Sequence, residues 1–180
     1  TNVARYYIGF MPVLFERGGE PVVMMGSWWP MCMFVTLPLI VGTVLIVTFT
    51  LVVPRAPLWL ILGYYPLVLV TLVGLCGVSC RNPGLVAKRE KVYAADDPEG
   101  DGVDRIKWVW NDRVKSFRPR GALYCDSNDV VVENYDHFCP WTGTSIGRNN
   151  MFCFKVFVIS VNTLCYLTIF VVVYLLIFER

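Results

Sequence analysis

The sequence predicts an all-α integral membrane protein with three transmembrane helices, a fourth being missing. A small irregular or β-structured cytosolic loop domain is expected between the second and third. Three observations predict this. Of 180 residues, 56% are hydrophobic and only 17% are charged, whereas soluble domains lie nearer half and a quarter. Three long apolar stretches stand out, at residues 31–53, 58–80 and 154–178. The polar remainder gathers into one loop, residues 81–153.

The same composition excludes disorder, because so apolar a chain must bury its surface. A net charge of +2, from 16 basic and 14 acidic residues, is too even for nucleic-acid binding as a main task.

Residues 1–30 read as a mixed N-terminal juxtamembrane segment, with Trp28 and Trp29 at its end as interfacial aromatics. The first two apolar stretches contain no charge, and the third contains only Lys155 near its start. Each exceeds the roughly 20 apolar residues that a helix needs to cross a bilayer. Pro38 and Pro66 fall inside spans, where neighbouring helices can re-satisfy freed carbonyls. The short link Pro54-Arg55-Ala56-Pro57 makes the first two spans an antiparallel hairpin.

Basic residues set the orientation. The link holds Arg55 alone, while the loop carries Arg81, Lys88, Arg89 and Lys91 early and Arg148 and Lys155 late. Positive charge favours the cytosolic side, so residues 81–153 are expected there. The third span then leaves the cytosol with no return helix, and the sequence reads as a fragment of a longer protein. Within the loop, Arg81-Asn82-Pro83-Gly84 stops the second helix. Residues 96–102 are an acidic linker, and Trp108 to Val132 suggest a compact subdomain with a short strand.

His137 is the single histidine, lying directly after Asp136 and two residues before Cys139. A thiol becomes a nucleophile when a neighbour accepts its proton, and histidine titrates in the right range. A carboxylate beside that histidine can fix its tautomer. Asp136, His137 and Cys139 are thus candidates for acyl transfer through a cysteine thioester. The bland alternative is a surface histidine beside a structural cysteine. Cys76 and Cys80, four apart on one helix face, read as small apolar interface residues. Arg118, Arg148 and Lys155 read as ordinary juxtamembrane basicity more readily than as phosphate ligands.

The run Asp136-His137-Phe138-Cys139-Pro140-Trp141, followed by Gly143, Ile146-Gly147, Asn150 and Phe154, resembles the DHHC family of protein S-acyltransferases. Arg118-Pro119-Arg120 sits where that family has Arg-Pro-Pro-Arg, and Arg81-Asn82-Pro83-Gly84 is similar to its Asp-Pro-Gly motif. The resemblance implies a nucleophile at Cys139, a base at His137, an orienting acid at Asp136, and Trp141 against the acyl chain. It implies fatty acyl-CoA as co-substrate, with no further cofactor. Protein substrates would carry cysteines near the bilayer, in the Golgi, endoplasmic reticulum or plasma membrane.

One departure matters. The family holds this loop with two structural zinc ions, and the resemblance places Asn111, Val114, Tyr124, Cys125, Asn128, Val131, Phe138 and Ser145 at the ligand positions. Only Cys125 can still ligate. Structural zinc wants four Cys or His ligands, and the loop offers only Cys125, His137, Cys139 and Cys153. Using all four would consume the reactive pair, so no zinc is expected and a hydrophobic centre is expected instead. Two readings follow: a zinc-free acyltransferase, or a catalytically silent membrane scaffold.

Overall fold

The computed structural model describes residues 6–52, 56–88 and 108–178. Pro54 and Arg55 of the link and the acidic linker at residues 96–102 lie outside the described residues.

Three helices are long and apolar enough to cross a membrane: Trp29–Thr50, Leu58–Ser79 and Met151–Ile177. The first widens into π-helical turns at Cys32–Thr36 and Thr48–Val52. Pro38 follows the first of these turns. Its ring cannot donate to the ladder and crowds the preceding turn, and a wider turn relieves that conflict. Pro66 lies within the second helix, which stays α-helical throughout.

The second and third helices close on each other at Gly74, where an added Cβ would meet Phe157 Cα at 3.1 Å. A small residue at such a crossing lets two backbones approach. Hydroxyls add to the helix contacts. Tyr64 and Thr168 join the second helix to the third across 3.2 Å, and Tyr65 donates to Thr48 of the first at 3.2 Å.

Outside the three long helices the described residues form mainly short strands. Before the first helix lies an antiparallel sheet of β1 (Tyr6–Ile8), β2 (Met11–Arg17) and β3 (Glu20–Met24). Between the second and third helices come three antiparallel hairpins. They are β4 (Trp108–Asn111) with β5 (Ser116–Pro119), β6 (Ala122–Cys125) with β7 (Val130–Glu133), and β8 (His137–Cys139) with β9 (Thr144–Ile146). The expected small β region is therefore present, and the N-terminal sheet is an addition to it.

That sheet is an integral part of the loop's core. Met11, Val13 and Met24 pack with Val130 and Val132 of β7, all five buried. Val23 bridges to Arg81 and Leu85 bridges to Val132, so the chain leaving the second helix is stitched between the sheet and β7. Asn82 anchors this segment. Its Oδ1 accepts the amides of Gly84 and Leu85 at 2.8 and 2.9 Å, and its Nδ2 donates to the Pro21 carbonyl at 2.9 Å. An aspartate could make the first two bonds but not the third.

Candidate active site

The β8–β9 hairpin presents two different faces. Side chains alternate along a strand, so His137 and Cys139 share one face and Phe138 takes the other. Register places Ile146 opposite His137, Ser145 opposite Phe138 and Thr144 opposite Cys139. Cross-strand partners share a face. His137, Cys139, Ile146 and Thr144 therefore form the front, and Phe138 and Ser145 the back.

The front packs against the helices. Cys139 and Ile146 are buried in one apolar cluster with Cys32 of the first helix, Leu75 and Val78 of the second, and Phe157 of the third. Cys139 is only 8% exposed, while the His137 side chain is 41% exposed. The thiol is thus enclosed by helix side chains, while the imidazole keeps part of its surface exposed. His137 Nδ1 lies 2.9 Å from Asp136 Oδ2. The ring also meets Phe154 edge-on, with centroids 5.1 Å apart. One contact holds the nitrogen and the other holds the ring plane.

Trp141 follows in the turn, with an exposed indole. Its carbonyl accepts the Thr36 hydroxyl at 2.7 Å, tying the turn to the first helix just below Cys32. Of the sequence-expected residues, His137 and Cys139 lie on one face of β8, with Asp136 just before the strand and hydrogen-bonded to His137. Trp141 lies beside them on the helix-facing turn, with its side chain outward.

Asn150 was visible only as a motif letter. It is fully buried and works three ways: its Oδ1 accepts Gly147 N at 2.9 Å, and its Nδ2 reaches the carbonyls of Ser145 at 2.9 Å and Val78 at 3.3 Å. It therefore locks β9 to the second helix where the third begins. Arg148 pairs with Glu133 at 2.5 Å, and Arg118 donates to the Ala122 carbonyl. Both guanidinium groups are engaged in holding the loop.

The back of the hairpin and the neighbouring turns occupy the positions where the resemblance expects metal ligands. Asn111 Oδ1 accepts the amides of Arg113 and Val114, closing the β4–β5 turn. Tyr124 donates to Asp129 at 2.8 Å, and that bond, with some burial, raises its phenol above the usual range. Burial and a hydrogen bond with Cys125 likewise raise Tyr135. Phe138 packs edge-on against Trp28 at 6.0 Å. Asn128 is fully buried and donates to Ser145 Oγ at 2.5 Å. Among the described residues, no three His, Cys, Asp or Glu side chains come together as a metal group. Hydrogen-bonded turns and aromatic packing fill this ground, and the residues present do not fit a structural zinc ion.

The sequence model of the DHHC palmitoyltransferase family matches residues 106–180. The chain is 40% identical over 119 residues to the palmitoyltransferase ZDHHC14 of Danio rerio, covering 54% of this chain and 23% of that one. It is 39% identical over 73 residues to the human palmitoyltransferase ZDHHC9, covering 40% and 20%. Palmitoyltransferase ZDHHC5-B of Danio rerio is 28% identical over 103 residues, covering 52% and 16%. The chain spans only 16% to 28% of the length of such curated relatives. The matched segment includes all three hairpins and the third helix, and so all of Asp136, His137 and Cys139.

Proposed function

We propose that this chain is the transfer centre of a zinc-free protein S-acyltransferase. It would move a fatty acyl group from acyl-CoA to cysteines of membrane-associated proteins. The observation that carries this reading is the Asp136–His137 hydrogen bond on the strand that buries Cys139 among three apolar helices. The Asp136 carboxylate only accepts, so Nδ1 of His137 carries the proton and Nε2 is the basic nitrogen.

In the first step, Nε2 takes the Cys139 thiol proton and the thiolate attacks the acyl-CoA thioester carbon. The CoA thiolate leaves with the proton from the imidazolium. In the second, a substrate cysteine gives its proton to Nε2 and attacks the acyl-Cys139 carbonyl, and Cys139 leaves as thiolate and regains a proton from the imidazolium. The loop faces the cytosol in this reading, in keeping with its basic residues near the span ends.

The acyl chain has a place to lie. An apolar groove of about 320 Å³ runs between the first and third helices, lined by Leu39, Ile40, Val44, Val161, Leu164 and Ile169 among others. Ile40 and Val161 also pack against the cluster that contains Cys139, so the groove adjoins that cluster. Each methylene buried there contributes about 0.8 kcal/mol.

The test is incubation of the chain in membranes with labelled palmitoyl-CoA. Label should attach through a hydroxylamine-sensitive bond and vanish with Cys139→Ser. A chain that stays unlabelled, or carries label indifferent to that change, would be the silent scaffold.

A further inference from the structure

The hairpin that carries His137 and Cys139 is held from behind by one buried side chain. Asn128 Oδ1 accepts the Ser27 amide at 2.9 Å, and Nδ2 donates to Ser145 Oγ at 2.5 Å. Its own carbonyl accepts Phe10 N at 2.9 Å, and Ser27 Oγ donates to the neighbouring Ser127 carbonyl at 2.6 Å. A carboxamide is the side chain that both accepts and donates from one short plane. Here the two ends of that plane meet the N-terminal segment and β9.

Next to this node the contact is tight. Trp28 N donates to the Gly143 carbonyl at 3.2 Å. A Cβ on Gly26 would lie 2.0 Å from that same carbonyl oxygen. Phe138 and Ser145, the two back-face residues of the hairpin, therefore both lean on residues 27–28 or on their partner Asn128. The opposite face of the same hairpin carries the reactive groups.

We infer that Asn128 is a positioning residue for His137 and Cys139, its carboxamide tying Ser27 to Ser145 and so fixing the hairpin that presents them. It stands at a position where the family resemblance expects a metal ligand, and Ser145 stands at another. A buried amide–hydroxyl pair thereby does the aligning that an ion would do, and it makes the N-terminal sheet part of the site. This rests on the reading of Cys139 as a His137-activated nucleophile.

The test reads the thiol directly. The rate of Cys139 alkylation by iodoacetamide is followed by mass spectrometry across pH, in the purified full chain with chelator present. Wild type, Asn128→Ala, Ser145→Ala, the double variant and His137→Ala are compared. Misalignment by an ångström can cost about 10²-fold. Asn128→Ala should approach the His137→Ala rate and lose the wild-type pH profile, while the fraction of Cys139 finally modified stays the same. The double variant should react no more slowly than Asn128→Ala, because both remove one shared bond. Ser145→Ala, the smaller excision, keeps the test open should Asn128→Ala not fold. A wild-type rate and pH profile in Ser145→Ala and Asn128→Ala would overturn the assignment. Transfer of label from palmitoyl-CoA, measured in parallel, separates the two ideas: Asn128-dependent alkylation without acyl transfer would sink the transferase reading and leave this one standing.

Discussion

The Asp136 carboxylate accepts the Nδ1 proton of His137 at 2.9 Å, and this one bond decides which imidazole nitrogen is basic. Both groups are partly exposed, at 56% and 41% of their side-chain surface. Water therefore screens the pair, and its worth is orientation more than stability.

From this follows a ranked outcome. His137→Ala removes the base and should slow acyl-Cys139 formation by about 10²-fold or more. Asp136→Ala leaves the base in place with its tautomer unfixed, so the loss should be smaller. Both should retain the wild-type thermal midpoint. Single-turnover labelling with palmitoyl-CoA gives the rates. An Asp136→Ala chain slower than His137→Ala would show that the carboxylate does something other than orient the ring.

Metal removal should change nothing. The Asn111 turn, the Asn128–Ser145 pair and the Phe138–Trp28 contact already fill the ground where ligands would stand. A strong chelator should leave labelling rate and thermal midpoint unaltered. Elemental analysis of purified protein should find zinc well below stoichiometric. Stoichiometric zinc that survives chelator washes would refute a core built from amides and rings.

The legible parts of this fold were those that obey a period or a composition. Three spans were readable because residues 31–53, 58–80 and 154–178 are apolar for longer than any soluble helix needs. The helices begin within three residues of those bounds. The order Asp136-His137-x-Cys139 was readable, but spacing alone could not fix the turn that brings the Asp136 carboxylate to His137 Nδ1. The N-terminal sheet was not. Tyr6 to Met24 contain Pro12, two glycines in sequence and mixed polarity, with no clean alternation. Its strands form because Met11, Val13 and Met24 find Val130 and Val132, more than a hundred residues away. The role of Asn128 was hidden for the same reason, since Ser27 and Ser145 meet it only in three dimensions.

Close backbone approach at Gly143 gives a stability prediction. Gly143 has φ of +73° and would place a Cβ 2.6 Å from the Trp28 carbonyl oxygen. Gly18 has φ of +62° with nothing within 4 Å of its Cβ position. The conformational cost to alanine is about 1–3 kcal/mol at each, but only Gly143→Ala adds a backbone clash. Gly18→Ala should lower the thermal midpoint modestly, and Gly143→Ala should lower it much further and displace Trp28 from Phe138. Indole fluorescence and thermal scans would report both. Equal shifts in the two variants would mean that the turn does not touch the first helix.

The groove between the first and third helices makes a prediction about chain length. Cys165 is exposed and lines the groove four residues beyond Val161, which packs beside the Cys139 cluster. Four helical residues advance about 6 Å along the axis. A tryptophan at Cys165 would thus stand well inside the slot without overfilling the core. Octanoyl groups, which stop short of it, should transfer nearly as before. Palmitoyl groups should lose the burial of their distal methylenes, at about 0.8 kcal/mol each. Losing four of them is about 3 kcal/mol, or roughly 100-fold in the palmitoyl-to-octanoyl ratio. Competition between the two acyl-CoAs for one sample of Cys165→Trp measures that ratio without reference to the amount of folded protein. An unchanged ratio would place the acyl chain somewhere other than this groove.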